Sequence, residues 1–227
     1  MSSNKSKLWH LERINLLKNL SEEEMEELVK KTTFKLAEKN QYIYFPEEPS
    51  KVVFFLKEGR VKIGTYSEDG KEVIKAILYP GEVFGEMGVL GEDRRKDFAI
   101  AMDDNTRMCT ISVDEFKDIL NQNPHLSLEM GRNIGEKMRR IERRLESLIF
   151  KDARERIIQF MKEMAEHYGK AIGEEILVKH DLTHQDIANL TATSRQTVTT
   201  VLNELKEEDQ IYMERKKFLI RDLKSLK

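Results

Sequence analysis

The chain has 227 residues and one cysteine, Cys109, which excludes an internal disulfide and fits a reducing compartment. One thiolate is also too few to hold an iron-sulfur cluster or a structural zinc within a single copy. No run of about 18 apolar residues occurs. The opening MSSNKSKLWHLERINLL lacks the uninterrupted apolar core of a signal peptide, so a cytoplasmic protein without a membrane segment is expected. Neither sign of charge dominates: 39 Lys and Arg against 41 Asp and Glu leave a formal charge of −2. Nothing draws the whole molecule to nucleic acid, and any such contact must rest on a local basic face. A Walker loop, a Ser-His-Asp spacing and a paired catalytic carboxylate motif are all missing.

What is present changes period along the chain. A helix is expected over residues 8–31, with Ser21-Glu22-Glu23-Glu24 as a capping box ahead of Met25, Leu28 and Val29. From Thr32 to about Ile111 come short β-rich runs, YIYF (42–45), VVFFL (52–56), RVKIGTY (60–66), EVIKAIL (72–78) and FAIAM (98–102). They are separated by Glu58-Gly59, Asp69-Gly70 and Pro80-Gly81, and such regular turns predict an antiparallel sandwich or roll, with a hairpin at Asp69-Gly70. Histidine is absent from this region; the five are His10, His125, His167, His180 and His184. A metal-dependent enzyme built on the roll would need clustered His and carboxylates there. A haem would have to take His10 or Cys109 as axial ligand, and these read better as a surface helix residue and a buried strand residue. The cofactor is left unassigned.

A helix over 113–121 is followed by a break at Pro124 and a long helix over 125–150. In it Ile134, Met138, Ile141, Leu145 and Leu148 are spaced 4, 3, 4 and 3, the rhythm of a two-stranded coiled coil. Flanked by Arg139, Arg140, Arg143 and Arg144, so narrow a seam would bury little against a globular core, whereas a second copy could fill it. A homodimer is expected. No Gly/Ser-rich linker follows; another helix is expected over 152–168, then Gly169 and Gly173.

Residues 182–205, LTHQDIANLTATSRQTVTTVLNEL, then read as two short helices joined by a tight turn. Thr183 and Asp186 form a capping box, so the first helix starts at His184 and buries Ile187, Ala188 and Leu190. Thr193 or Ser194 caps the second, whose Val198, Val201, Leu202 and Leu205 face inward while Arg195, Gln196, Thr199 and Thr200 face out. Arg, Gln and Thr on an exposed first turn suit base edges in a major groove, the pattern of a helix-turn-helix. QIYMERKKFLIRDL after it reads as two short strands around a basic turn, Arg215-Lys216-Lys217, forming a wing.

Sheet roll, long helix and winged helix-turn-helix, in that order, resemble the CRP/FNR family of bacterial transcription regulators over nearly the whole chain. EDGKEVIKAILYPGEVFGEMGVL (68–90), ISVDEFKDIL (111–120) and HQDIANLTATSRQTVTTVLNEL carry the resemblance, most specifically at Gly85-Glu86 and at Ser194-Arg195-Gln196-Thr197-Val198. It implies an α+β chain: an antiparallel, cyclic-nucleotide-binding-like β-roll that senses an effector (1–124), a dimerisation helix (125–150) and a winged helix-turn-helix DNA-binding domain (151–227). The expected partners are a second copy, an inverted-repeat double-stranded DNA site and RNA polymerase. Base contacts fall to Arg195, Gln196 and Thr197, with Thr199 and Thr200 on the same face; phosphate contacts fall to Thr183, Gln185, Ser194, Lys216 and Lys217. Two departures stand out. Ala192 occupies a turn position that is often glycine, so a differently shaped turn is expected, and Gln196 replaces a frequent glutamate, shifting preference from cytosine towards adenine.

The sensor departs further. In family members that bind cyclic AMP, an arginine and a serine after the Gly-Glu pair meet the phosphate, and a threonine and a serine of the dimer helix meet the adenine. Matched without gaps, Lys96 and Asp97 stand at the first two positions and Ile141 and Glu142 at the second two. Gly85, Glu86 and the charge of Lys96 remain; Asp97 at about 4 Å from a phosphate would cost some 4 kcal/mol at an effective dielectric of about 20. Cyclic AMP is therefore not expected to be the effector, and Arg94-Arg95-Lys96 reads as a solvated loop. Two other functions compete with the DNA regulator, a regulatory module of a partner enzyme and a metal-dependent β-roll enzyme; the first leaves the helix-turn-helix and wing without a purpose.

Overall fold

The computed structural model describes Leu11, residues 14–214 and residues 216–227. His10, Arg215 and the part of the expected first helix on residues 8–10, 12 and 13 lie outside them. Among described residues that helix is shorter than expected: Asn15–Leu17 is one 3-10 turn, and α1 is Glu22–Lys31. The interruption falls at Ser21. Its hydroxyl accepts from the Glu24 amide at 3.3 Å while its own amide donates to the Glu24 carboxylate at 2.7 Å, and an N-cap with an extended backbone starts a helix rather than continuing one.

The chain divides into two compact units, residues 1–138 and 139–227. The first contains β1 (Thr33–Ala37), β2 (Tyr42–Tyr44), β3 (Val52–Glu58), β4 (Val61–Tyr66), β5 (Glu72–Leu78), β6 (Val83–Phe84), β7 (Phe98–Ala101) and β8 (Thr106–Ser112). Two antiparallel sheets result, ordered β1-β8-β3-β6 and β2-β7-β4-β5. Side chains alternate between faces along a strand, and β3 shows why VVFFL is an unbroken apolar run. Phe54 and Leu56 enter the interior with Ile43, Val61, Leu78 and Met108, while Val53 and Phe55 face a second core with Cys109 and Ile111. The hairpin expected at Asp69-Gly70 joins β4 to β5, with Gly70 at φ 75°.

Helices cover that second core. After β8, Ser112 and Glu115 form a capping box that starts α2 (Val113–Gln122). Pro124 opens α3 (Pro124–Phe150), since a missing N–H is tolerated in a first turn. Leu126 and Met130 of α3 are buried with Phe116 and Leu120 of α2 and Leu28 of α1.

The second unit holds the rest of α3, then α4 (Ala153–Tyr168), β9 (Lys170–Ile172), β10 (Glu175–Lys179), α5 (His184–Thr191), α6 (Arg195–Glu207), β11 (Ile211–Glu214) and β12 (Lys217–Ile220). The hairpin β9–β10, turning at Gly173 with φ 64°, is an addition to the sequence reading, and it extends the wing into a sheet ordered β11-β12-β10-β9. Ile157 and Met161 of α4, Ile187 and Ala188 of α5, Val198 and Leu205 of α6, and Phe218 of the wing are buried. Leu190, expected inside, is only half-buried. No helix among the described residues is long and apolar enough to cross a membrane.

Candidate nucleic-acid interface and effector site

α5 starts where its cap dictates. The Thr183 hydroxyl accepts from the Asp186 amide at 3.1 Å and donates to its carboxylate at 2.6 Å, so the hydroxyl expected to meet a phosphate is already engaged. The helix ends at Ala192 with φ 51° and ψ 49°. The turn keeps the left-handed shape a glycine would give, against the expectation of a different one, although an L-residue there costs about 1–2 kcal/mol. Arginines meet the carbonyls at this end. Arg156 of α4 donates through Nε to Thr191 O at 2.9 Å, through Nη2 to Ala192 O at 3.2 Å and through Nη1 to Lys151 O at 2.8 Å. Arg144 of α3 donates to Asn189 O at 3.1 Å, and burial pulls its guanidinium pKa below the ordinary value.

Ser194 then caps α6, accepting from the Thr197 amide at 3.0 Å. Arg195, Gln196 and Thr200 are exposed, Thr197 is half-buried, and the Arg195 guanidinium has no partner among the described residues. Thr199 corrects the expected outward face: it is half-buried, 2.9 Å from His184 Nδ1, and its hydroxyl donates to Arg195 O at 2.9 Å. It therefore ties the first residue of α5 to α6. Gln185 is exposed, with its amide on Asn189. In the wing, Lys216 pairs with Asp181 and Lys217 with Glu214, each at 2.8 Å. Lys217 opens β12 instead of sitting in the turn and is half-buried, with Glu214 raising its ammonium pKa, while Lys216 is exposed; both ion pairs are of the surface kind that can be exchanged to a phosphate.

In the first unit Gly85 lies at φ 77°, where an added Cβ would stand 2.7 Å from Val52 O. Glu86 beside it is buried and meets Lys137 Nζ of α3 at 2.6 Å, and the same ammonium donates to Val83 O at 2.7 Å. The cassette is out of register with the ungapped expectation. Lys96 points to solvent, whereas Arg95, read as part of a solvated loop, is buried. Its guanidinium donates to Gly85 O and Val52 O and lies 4.6 Å from the Tyr44 ring centroid. β7 begins at Phe98, three residues later, and Arg95 shares the parity of Ala99 and Ala101, which face the interior of the roll. Asp97 accepts from the Tyr44 hydroxyl at 3.1 Å and pairs with Lys75 at 3.2 Å, which offsets the repulsion expected of it. Ile141 and Glu142 are exposed on the part of α3 that belongs to the second unit.

The apolar row of α3 separates likewise. Ile134 packs against the core of the first unit, so it is not a free seam residue in the single chain. Met138, Ile141, Leu145 and Leu148 are between 43% and 68% exposed, an apolar stripe left open among the described residues.

Sequence reasoning gave Arg95 and His184 no such role and did not single out Lys137 or Arg156. A signal existed for Arg156: a cation in the first turn of a helix opposes that helix's dipole, so it needs another reason to be there.

Residues 34–123 match the cyclic nucleotide-binding domain family, and residues 155–227 match the Crp-like helix-turn-helix domain family. The chain is 29% identical over 185 residues to the global nitrogen regulator of Nostoc sp., covering 81% of this chain and 82% of that one. It is 29% identical over 184 residues, with the same shares covered, to the CRP-like cAMP-activated global transcriptional regulator of Mycobacterium tuberculosis. Among solved structures, a mutant of CooA from Carboxydothermus hydrogenoformans superposes with a TM-score of 0.75 at 27% identity, covering 88% of each chain.

Proposed function

Since the chain belongs to the CRP/FNR family of transcription regulators, we propose that it binds an inverted-repeat DNA site as a homodimer, with α6 of each copy in a major groove. The observation that carries this is the first turn of α6. Arg195 and Gln196 stand exposed and the Arg195 guanidinium has no partner among the described residues, while Val198 and Leu202 bury the opposite face. Arginine pairs in two places with guanine, and glutamine with adenine. Ser194, Gln185, Lys216 and Lys217 hold phosphates; Thr183 and Thr199 shape the motif instead of touching DNA. The exposed row Met138, Ile141, Leu145 and Leu148 is the dimer seam, and a two-fold axis along it sets half-sites one helical turn apart. Contact with RNA polymerase follows from the family alone. Residues 1–124 thus sense, 125–150 dimerise and 151–227 read DNA; neither competing function fits a chain of this family.

The effector is not cyclic AMP. The relatives differ in the control their names declare, one a nitrogen regulator and one cAMP-activated, so family membership does not choose a ligand. Glu86, a polar group left for a nucleotide, is buried against Lys137, and Lys96 faces solvent. Removing Glu86 from its ion pair would strand a buried charge. Selection of duplexes from a randomised library by the purified protein tests the DNA reading. Recovery of an inverted repeat with one-turn spacing is expected; a direct repeat or no enriched sequence overturns it.

A further inference from the structure

Arg156 sits at the fourth position of α4, where a cation faces the positive end of its own helix. Its guanidinium instead reaches the negative end of α5. Helix ends leave carbonyls without intrahelical partners, and arginine side chains are among the groups that satisfy them. Here the service is concentrated on one short helix of eight residues. Arg156 takes Thr191 O and Ala192 O, and Arg144 takes Asn189 O from the long helix α3. A third donor of Arg156 goes to Lys151 O, at the junction of α3 and α4. One planar, five-donor group therefore joins the start of α4 to the turn that leads into the reading helix.

That turn is the strained point of the motif. Ala192 is left-handed, and two residues later Ser194 caps α6, so the backbone angles at 192 and 193 set the direction of α6 relative to α5. An alanine unassisted at this position would leave the left-handed region for commoner backbone states. We propose that Arg156, seconded by Arg144, is a positioning residue for DNA recognition: its hydrogen bonds hold Ala192 in the left-handed turn and thereby fix the aim of Arg195 and Gln196. The proposal rests on α6 being the DNA-reading helix. Arg144 also links the C-terminal end of α5 to α3, so a shift of the dimer helix reaches the turn and the reading helix through hydrogen bonds to that end.

The test is a cycle of Arg156→Ala and Ala192→Gly in the full chain. Binding is measured to the duplex enriched by the unmodified protein and to a scrambled duplex of equal length, with melting followed in parallel. Arg156→Ala should weaken the enriched duplex by at least about tenfold, or 1.4 kcal/mol, and the scrambled one much less. Ala192→Gly alone should change DNA affinity less than about twofold, because the turn is already held. In the Arg156→Ala background the same glycine should restore most of the lost discrimination, because glycine adopts the left-handed state without help. Arg156→Lys, whose ammonium lacks the planar fork, should fall between the two and replaces Arg156→Ala if that variant does not fold. Unchanged discrimination in Arg156→Ala, or a glycine effect equal in both backgrounds, overturns the proposal even if melting temperatures move. Failure of the unmodified protein to enrich any duplex would instead overturn the DNA reading itself.

Discussion

Replacing Ile141 or Leu145 by aspartate should separate the dimer without unfolding the protomer. Ile141 is 68% exposed and Leu145 is 56% exposed in the single chain, so neither contributes much to its own fold. Fully burying such a side chain is worth about 1.5–3 kcal/mol; with some two-thirds of it still open, a partner helix would gain about 1–2 kcal/mol per side chain. Symmetry places every substitution twice, which brings the loss to about 2–4 kcal/mol per dimer. An aspartate facing its own copy adds the cost of desolvating unpaired carboxylates, several kcal/mol more. The dimer dissociation constant should therefore rise by at least about a thousandfold. Analytical ultracentrifugation at micromolar concentration reads the mass, and circular dichroism checks that the helices remain. Two folded variants that stay dimeric would refute the seam, because no packing of this row could bury two facing carboxylates at no cost; with Ile141→Asp and Leu145→Asp combined, four carboxylates per dimer would make the same conclusion stronger still.

On the DNA, Arg195→Ala should cost about 1–3 kcal/mol and relax base choice at one position of each half-site, whereas Lys217→Ala should weaken all sequences alike and flatten the salt dependence; competition binding at several salt concentrations separates the two, and equal loss of discrimination would misplace the reading helix. Isothermal titration of the unmodified protein with cyclic AMP should show no binding at micromolar concentration. Lys137→Met, which frees Glu86, should alter DNA affinity with no nucleotide present, since the tie between roll and α3 is then broken. Micromolar cyclic AMP binding accompanied by a gain in DNA affinity would return the chain to nucleotide control.

Much of the architecture was legible because it is written locally. Capping boxes at Ser21, Thr183 and Asp69-Gly70's hairpin each involve residues within a few positions of one another, and all appear where the sequence puts them. The helical periodicity of 198, 201, 202 and 205 named the buried face of α6 correctly, since period alone decides which side chains share a face. Cys109, expected inside a strand, is buried in β8. β1, β6 and the β9–β10 hairpin were not read, being short or carrying weak alternation that only pairing with distant strands stabilises.

The functional surfaces divide along the same line. Sequence by itself determined the fold class, the order of parts and the face that presents Arg195 and Gln196, because propensity, periodicity and caps act over a few residues. Tertiary structure alone decided that Arg95 and not Lys96 enters the roll, that Lys137 takes Glu86 from 51 residues away, and that Arg156 reaches a turn 35 residues ahead of it. Those contacts join side chains from separate elements whose spacing in the chain carries no period, and the energy of a buried charge depends on which partners the fold brings to it.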